Sequence, residues 1–181
     1  MIQVIFPSAG HHDKDPGAVY NGIKESDLTK EFRNLISDCL AAKGHKHIMD
    51  KDSETNSQYQ NRIKPGTGSV LLDIHFNAST NTAATGTEMI VSNNASKESV
   101  AMATELAVGT AKILGATNRG VKTEKETARG KIGILNLNAG IAVLAEICFI
   151  SNASDMAKYN NCKDDLAAFY AETLIKYDNL K

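Results

Sequence analysis

Two histidines and two glutamates stand where the pattern of this chain would gather them: His11, Glu25, His75 and Glu146. His11 opens a loop after an apolar run punctuated by Pro7 and Gly10, and His75 follows the apolar run 70–74. Glu25 directly precedes a helical pattern, and Glu146 sits in 141–147, the most apolar run of the sequence. Imidazole nitrogen and carboxylate oxygen suit zinc, and three protein ligands leave a fourth position for water or a substrate carbonyl. A structural zinc site would more often be closed by four ligands, usually including cysteine. With His11, Glu25 and His75 as ligands, Glu146 becomes the base that takes a proton from activated water and hands it to a leaving amine. That role explains a carboxylate in an oily strand, where an unpaired charge would be strongly unfavourable.

Each residue alone has a blander reading. A histidine after a strand is more often a hydrogen-bonded loop residue than a ligand. Glu25 can be a helix-start carboxylate favoured by the macrodipole, and Glu146 can pair with Arg119 or Arg129. His12, beside His11, can be the ligand in its place, while His45 and His47 read as surface or strand residues. The coincidence of four such positions at strand or helix ends is what favours chemistry.

The elements that would position them alternate along the chain. Strands are expected over 1–6, 47–49, 70–74, 88–91, 132–137 and 141–147. A helix should begin immediately after Glu25, capped by Ser26 or Asp27, and stop at Gly44; others are expected over 58–63, from Val100 to Gly115, and along the Leu166–Tyr177 face. The polar stretch 117–131 reads as a surface loop. This order favours one three-layer α/β domain over residues 1–181, with a largely parallel sheet and the chemistry in loops at strand ends.

Composition bounds the rest. With 181 residues, 42% apolar and 23% charged, the chain has an ordinary globular profile. Twenty Lys and Arg against 21 Asp and Glu leave a net charge of -1, so there is no basic field for nucleic acid. No run reaches the ~18–20 apolar residues of a membrane span. The amino terminus lacks the pattern of a secretory leader, so the expectation is a chain that starts in the cytoplasm. Of the three cysteines, Cys39 and Cys148 fall in apolar patterns and are expected to be buried, and Cys162 exposed; none has metal-ribbon spacing. No glycine-rich phosphate loop is present.

Four segments go further: AGHHDKDPGAVYNGIKE (9–25), LLDIHFNAS (71–79), NRGVK (118–122) and VLAEICFISNASD (143–155). In this order they resemble the motifs of the zinc-dependent N-acetylmuramoyl-L-alanine amidases of the third amidase family, over nearly the whole chain. The resemblance implies that His11, Glu25 and His75 bind one zinc ion, that Glu146 is catalytic, and that about six strands form a twisted sheet flanked by helices. It departs from the family where Gly-His-Gly-Gly becomes Gly10-His11-His12-Asp13, and where Met49-Asp50-Lys51 replaces Thr-Arg. Asp73 replaces a serine two residues before His75, where it either supports the histidine from behind or faces solvent.

The resemblance implies hydrolysis of the amide joining N-acetylmuramic acid to L-alanine in peptidoglycan; the loop residues Asn77, Asn118 and Arg119 are candidate contacts to its glycan or peptide. The expected protein is a monomer, a phage-type lysin or wall-remodelling enzyme that reaches the cell wall after release or export. A zinc carboxypeptidase-like peptidase would share the ligands, and a non-catalytic wall-binding module would need a degenerate site.

Overall fold

A computed structural model describes residues 4–180 of the chain. Its strands are β1 (Ile5–Ala9), β2 (Val19–Tyr20), β3 (Ile23–Lys24), β4 (Val70–Asn77), β5 (Thr87–Val91), β6 (Asn118–Thr123) and β7 (Ile141–Phe149). Its helices are α1 (Glu25–Ala42), α2 (Asn56–Arg62), α3 (Lys97–Leu114) and α4 (Ala153–Asp178), with 3₁₀ turns at Glu124–Glu126 and Gly133–Asn136. The fold is an α/β domain around a five-stranded sheet of order β1-β4-β7-β5-β6, in which all pairs are parallel except β5 with β7.

Strict alternation along the strands sorts the apolar side chains onto two faces. Val70, Leu72, Ile74 and Phe76 of β4 and Ile141, Val143, Ala145 and Ile147 of β7 join the main core, which α1, α3 and α4 cover. Phe32 of α1 stacks edge-on against Tyr159 and Tyr170 of α4, locking two of these helices together. The opposite face carries a smaller cluster, in which Leu71, Ile90, Ala142 and Leu144 are covered by Tyr59 of α2 and by Ile132, Ile134 and Leu135. The two outer layers are therefore unequal. Three long helices shield one face, and one short helix with a 3₁₀ turn shields part of the other.

Several elements differ from expectation for identifiable reasons. Residues 1–3 of the expected first strand lie outside the described residues, and β1 runs on through Pro7, which pairs in register with Leu72. Because β1 is an edge strand, the N–H that proline lacks need not meet a neighbour. The strand expected at 47–49 is reduced to one bridge between His47 and Ile5, which leaves five strands rather than six. The region expected as a loop holds β6, a polar edge strand on β5 without the apolar run of a buried strand. The strand expected at 132–137 is a 3₁₀ turn, since the Ile132 amide is committed to the Glu124 carboxylate at 2.6 Å rather than to a ladder.

α1 begins at Glu25 itself, and neither Ser26 nor Asp27 caps it. Backbone carbonyls do the work of a cap: Glu25 N–H donates to Ala18 O at 2.8 Å and Ser26 N–H to Pro16 O at 3.0 Å. The intervening chain is the β2–β3 hairpin, turned by Asn21 and Gly22 at φ 47° and 80°, the conformation an Asn-Gly pair adopts readily. α4 starts far earlier than its Leu166–Tyr177 face suggested, at Ala153, where the Asn152 side chain accepts from Ser154 and Asp155 N–H. Cys148 is buried, whereas Cys39 and Cys162 are both half-buried.

Candidate active site

The C-terminal ends of β1 and β4 and the start of α1 meet at one edge of the sheet. β1 delivers His11 through Gly10, whose N–H is held by Ile74 O at 2.9 Å. Asn56, at the start of α2, donates to Gly10 O at 2.8 Å and ties the same loop from the other side. Below it, Arg33 of α1 and Asp50 form a buried ion pair of 2.6 Å, and Asp50 also accepts the Ala9 N–H. This pair occupies the region where the sequence departs from Thr-Arg, and it fastens α1 to the base of the His11 loop.

His11, Glu25 and His75 converge, with one donor atom from each lying within 4.8 Å of the others. Glu25 is the hub. Its Oε2 is 3.2 Å from His11 Nε2 and its Oε1 is 3.0 Å from His75 Nδ1, and it also accepts the N–H groups of Ala18 and Phe76. Asp15 lies 3.0 Å from His11 Nδ1 and Asp73 3.1 Å from His75 Nε2, so each imidazole has a carboxylate on its second nitrogen. Such partners fix ring orientation and raise ligand basicity. His12 is not in the cluster; its ring nitrogen faces the Lys14 N–H. His47 is engaged with Ser37 at 2.7 Å.

Burial opposes protonation of His11 and His75, yet the surrounding carboxylates prevail and hold both imidazoles above their ordinary range, His75 far above it. Burial pushes Glu25 up, and the two imidazoles outweigh it, keeping the carboxyl ionised far below its usual range. The field at this point favours a cation. Two glycines clear the space: a Cβ on Gly10 would lie 2.0 Å from His75 Nε2, and one on Gly17, at φ +63°, would lie 2.6 Å from Glu25 Oε2. Donor chemistry, electrostatics and this clearance all fit a divalent metal ion.

Glu146 stands beside the cluster. In the β4–β7 register it pairs with His75, and in the β5–β7 register with Glu88, so the three side chains form a row across the thinly covered face. Glu146 Oε2 is sealed from solvent and has no hydrogen-bond partner among the described residues. Neither Arg119 nor Arg129 pairs with it: Arg119 is bound to Glu88 at 2.9 Å and lies over the Phe149 ring at 5.1 Å. Burial pushes the Glu146 carboxyl up to about 7; His75 opposes the rise while Glu25 and Glu88 add to it.

A cavity of about 260 Å³ opens over this row, lined by His75, Asn77, Glu88, Lys122, Arg129 and Glu146 among others. Asn77 is at the cavity, donating to Glu88 Oε1 at 3.4 Å. Arg119 reaches it only through Glu88, and the Asn118 side-chain Oδ1 accepts the Gly120 N–H at 2.8 Å. Sequence reasoning missed Glu88, Lys122, Asp15, Gly10 and Gly17. Only the Asn-Gly turn and the Gly-flanked His11 carried a signal for that loop's shape.

A mostly parallel α/β sheet that ends in a two-histidine, one-carboxylate donor set, with an unpartnered carboxylate on the next strand, has the layout of a metal-dependent hydrolase. The N-acetylmuramoyl-L-alanine amidase family matches residues 5–176, and the chain belongs to it. N-acetylmuramoyl-L-alanine amidase LytC of Bacillus subtilis (strain 168) is 26% identical over 181 residues, covering 97% of this chain and 35% of that protein. The chain thus spans about a third of the length of that relative. The endolysin of Bacillus phage SPP1 is 26% identical over 187 residues, covering 100% of this chain and 68% of that protein. Among solved structures, the fold matches N-acetylmuramoyl-L-alanine amidase from Clostridium difficile 630 with a TM-score of 0.81 at 21% identity, over 99% of this chain and 97% of that one. It also matches the catalytic domain of CwlV from Bacillus (Paenibacillus) polymyxa var. colistinus, at TM-score 0.77 and 23% identity, over 100% of both chains.

Proposed function

We propose that this domain hydrolyses the amide bond between N-acetylmuramic acid and L-alanine in peptidoglycan, with one zinc ion held by His11, Glu25 and His75 and with Glu146 as general base and acid. The observation that carries the reading is the sealed, unpartnered Glu146 Oε2, in register with His75. Zinc bound there would polarise the scissile carbonyl and lower the pKa of water toward ~7. Glu146, whose carboxyl is raised by burial, would take a proton from the attacking water and release it to the leaving amine nitrogen. Asp15 and Asp73 keep the two imidazoles oriented while the charge at the centre changes.

Family membership and the relatives named as amidase and endolysin support the cell wall as the place of action, in lysis or remodelling. No helix among the described residues is long and apolar enough to cross a membrane. The reading is tested on purified sacculi by mass spectrometry. Zinc-loaded protein should release stem peptides with a free L-alanine amine and stop when a chelator is added. Glu146→Gln should keep its zinc and lose about 10²–10⁴-fold in rate. Glycan–peptide links left intact by fully loaded protein would refute the activity, and a near-normal Glu146→Gln rate would remove that residue from the mechanism.

A further inference from the structure

Two cations, Lys122 and Arg129, line the cavity over Glu146 beside the carboxylates Glu88 and Glu126, and the two are not equivalent. Lys122 Nζ is 2.7 Å and Arg119 Nε 2.9 Å from Glu88 Oε2, so one buried carboxylate holds both. Arg129, which lines the same cavity, makes no side-chain hydrogen bond or ion pair with the described residues. An exposed arginine is often unpaired, but this one stands on a built loop. Glu124, 1% exposed, accepts from the N–H groups of Ile132 and Asn93 and from the Asn136 amide, and so closes the loop at its base. Thr127 Oγ1 donates to Glu124 O and accepts from the Arg129 N–H, fixing the backbone that carries the guanidinium. A planar, permanently charged fork presented in this way is suited to a carboxylate.

The proposed substrate indicates which carboxylate. Once its lactyl group is amidated, the muramoyl sugar carries no charge, whereas the peptide beyond L-alanine keeps free carboxylates unless they are amidated. We propose that Arg129 is a specificity-determining residue that binds a carboxylate of the stem peptide in the cavity beside Glu146. This inference rests on the amidase reading above. Asn77, at the same cavity, is placed to add a neutral hydrogen bond.

The test compares two synthetic substrates, N-acetylmuramoyl-L-alanyl-D-glutamic acid with its γ-carboxyl capped as the methylamide, and the same compound with its remaining free α-carboxylate converted to carboxamide. Wild type should favour the acid by about tenfold or more in kcat/KM, chiefly through KM. Arg129→Gln should abolish that preference by a loss of about tenfold or more on the acid relative to the carboxamide, with the melting temperature unchanged, and Arg129→Lys should restore part of the preference. Equal rates on both substrates in wild type, or an equal loss on both in Arg129→Gln, would overturn the assignment. Binding of the free acidic dipeptide, followed by calorimetry, provides a readout independent of turnover. Wild type should bind it and Arg129→Gln should bind at least tenfold more weakly; indifference to the substitution would also overturn the assignment. Failure of wild type to cleave either substrate while still binding the dipeptide through Arg129 would count against the hydrolytic reading and not against the subsite.

Discussion

Glu25 carries more of the site than any other residue, because both imidazoles and two backbone amides meet on its carboxylate. Gly10 is its silent counterpart. A methyl group there would occupy the position of the His75 ring, with Cβ 2.0 Å from Nε2, while nothing in the helical core would be disturbed. Gly10→Ala should therefore lower bound zinc and activity together, by about tenfold or more, with the melting temperature changed by no more than a few degrees. Metal analysis alongside a thermal melt checks this. A variant with full zinc content would show that the ring can move aside at little cost.

At the scale of elements, the segment after β6 shows how one carboxylate replaces a strand. Glu124 accepts up to four groups in a space sealed from solvent, and hydrogen bonds together with the neighbouring amides hold its carboxyl below the ordinary value of 4.5 despite the opposing effect of burial. A depressed folded pKa means the contribution is fully present above the unfolded value and is lost as pH falls below ~4.5 through the folded value. The loop 124–132 should lose hydrogen-exchange protection in that acid window. Glu124→Gln, which turns an NH₂ toward amide donors, should destabilise it by about 1–3 kcal/mol at neutral pH and remove the acid dependence. Exchange at the Ile132 amide is the reporter, and unchanged protection in the variant would contradict this account.

The same segment explains what could not be read from residue patterns. Apolar residues at 132, 134 and 135 signal burial equally well in a strand or in a covering turn, and only the distant Glu124 decides between them. β6 was hidden for the converse reason, since a half-exposed edge strand needs no apolar run. β4 and β7 were legible because both of their faces are buried, and α3 because Gly115, at φ 56°, closes it as a left-handed cap. His11, Glu25, His75 and Glu146 could be picked out as candidates since each stands at an element end or inside an oily strand. Glu88, Asp15 and Lys122 could not, because charged residues in polar or mixed surroundings carry no signal until the register pairs them.

For the whole molecule, the unequal layers are the organising feature. Packing α1, α3 and α4 against one face leaves the opposite face of β4, β7 and β5 only partly covered, and it is there that Asp73, His75, Glu146 and Glu88 lie. A buried carboxylate row of this kind is strongly unfavourable without compensating positive charge. The fold meets that requirement with imidazoles on one side and with Lys122 and Arg119 on the other. The central claim is that a divalent ion completes this balance at His11, Glu25 and His75. Zinc K-edge X-ray absorption of the loaded protein tests it most directly. The prediction is a four-coordinate shell of two imidazole nitrogens and light-atom oxygens at ~2.0–2.2 Å, with one imidazole lost in His75→Ala. A sulfur shell at ~2.3 Å, or a spectrum unchanged by His75→Ala, would contradict it.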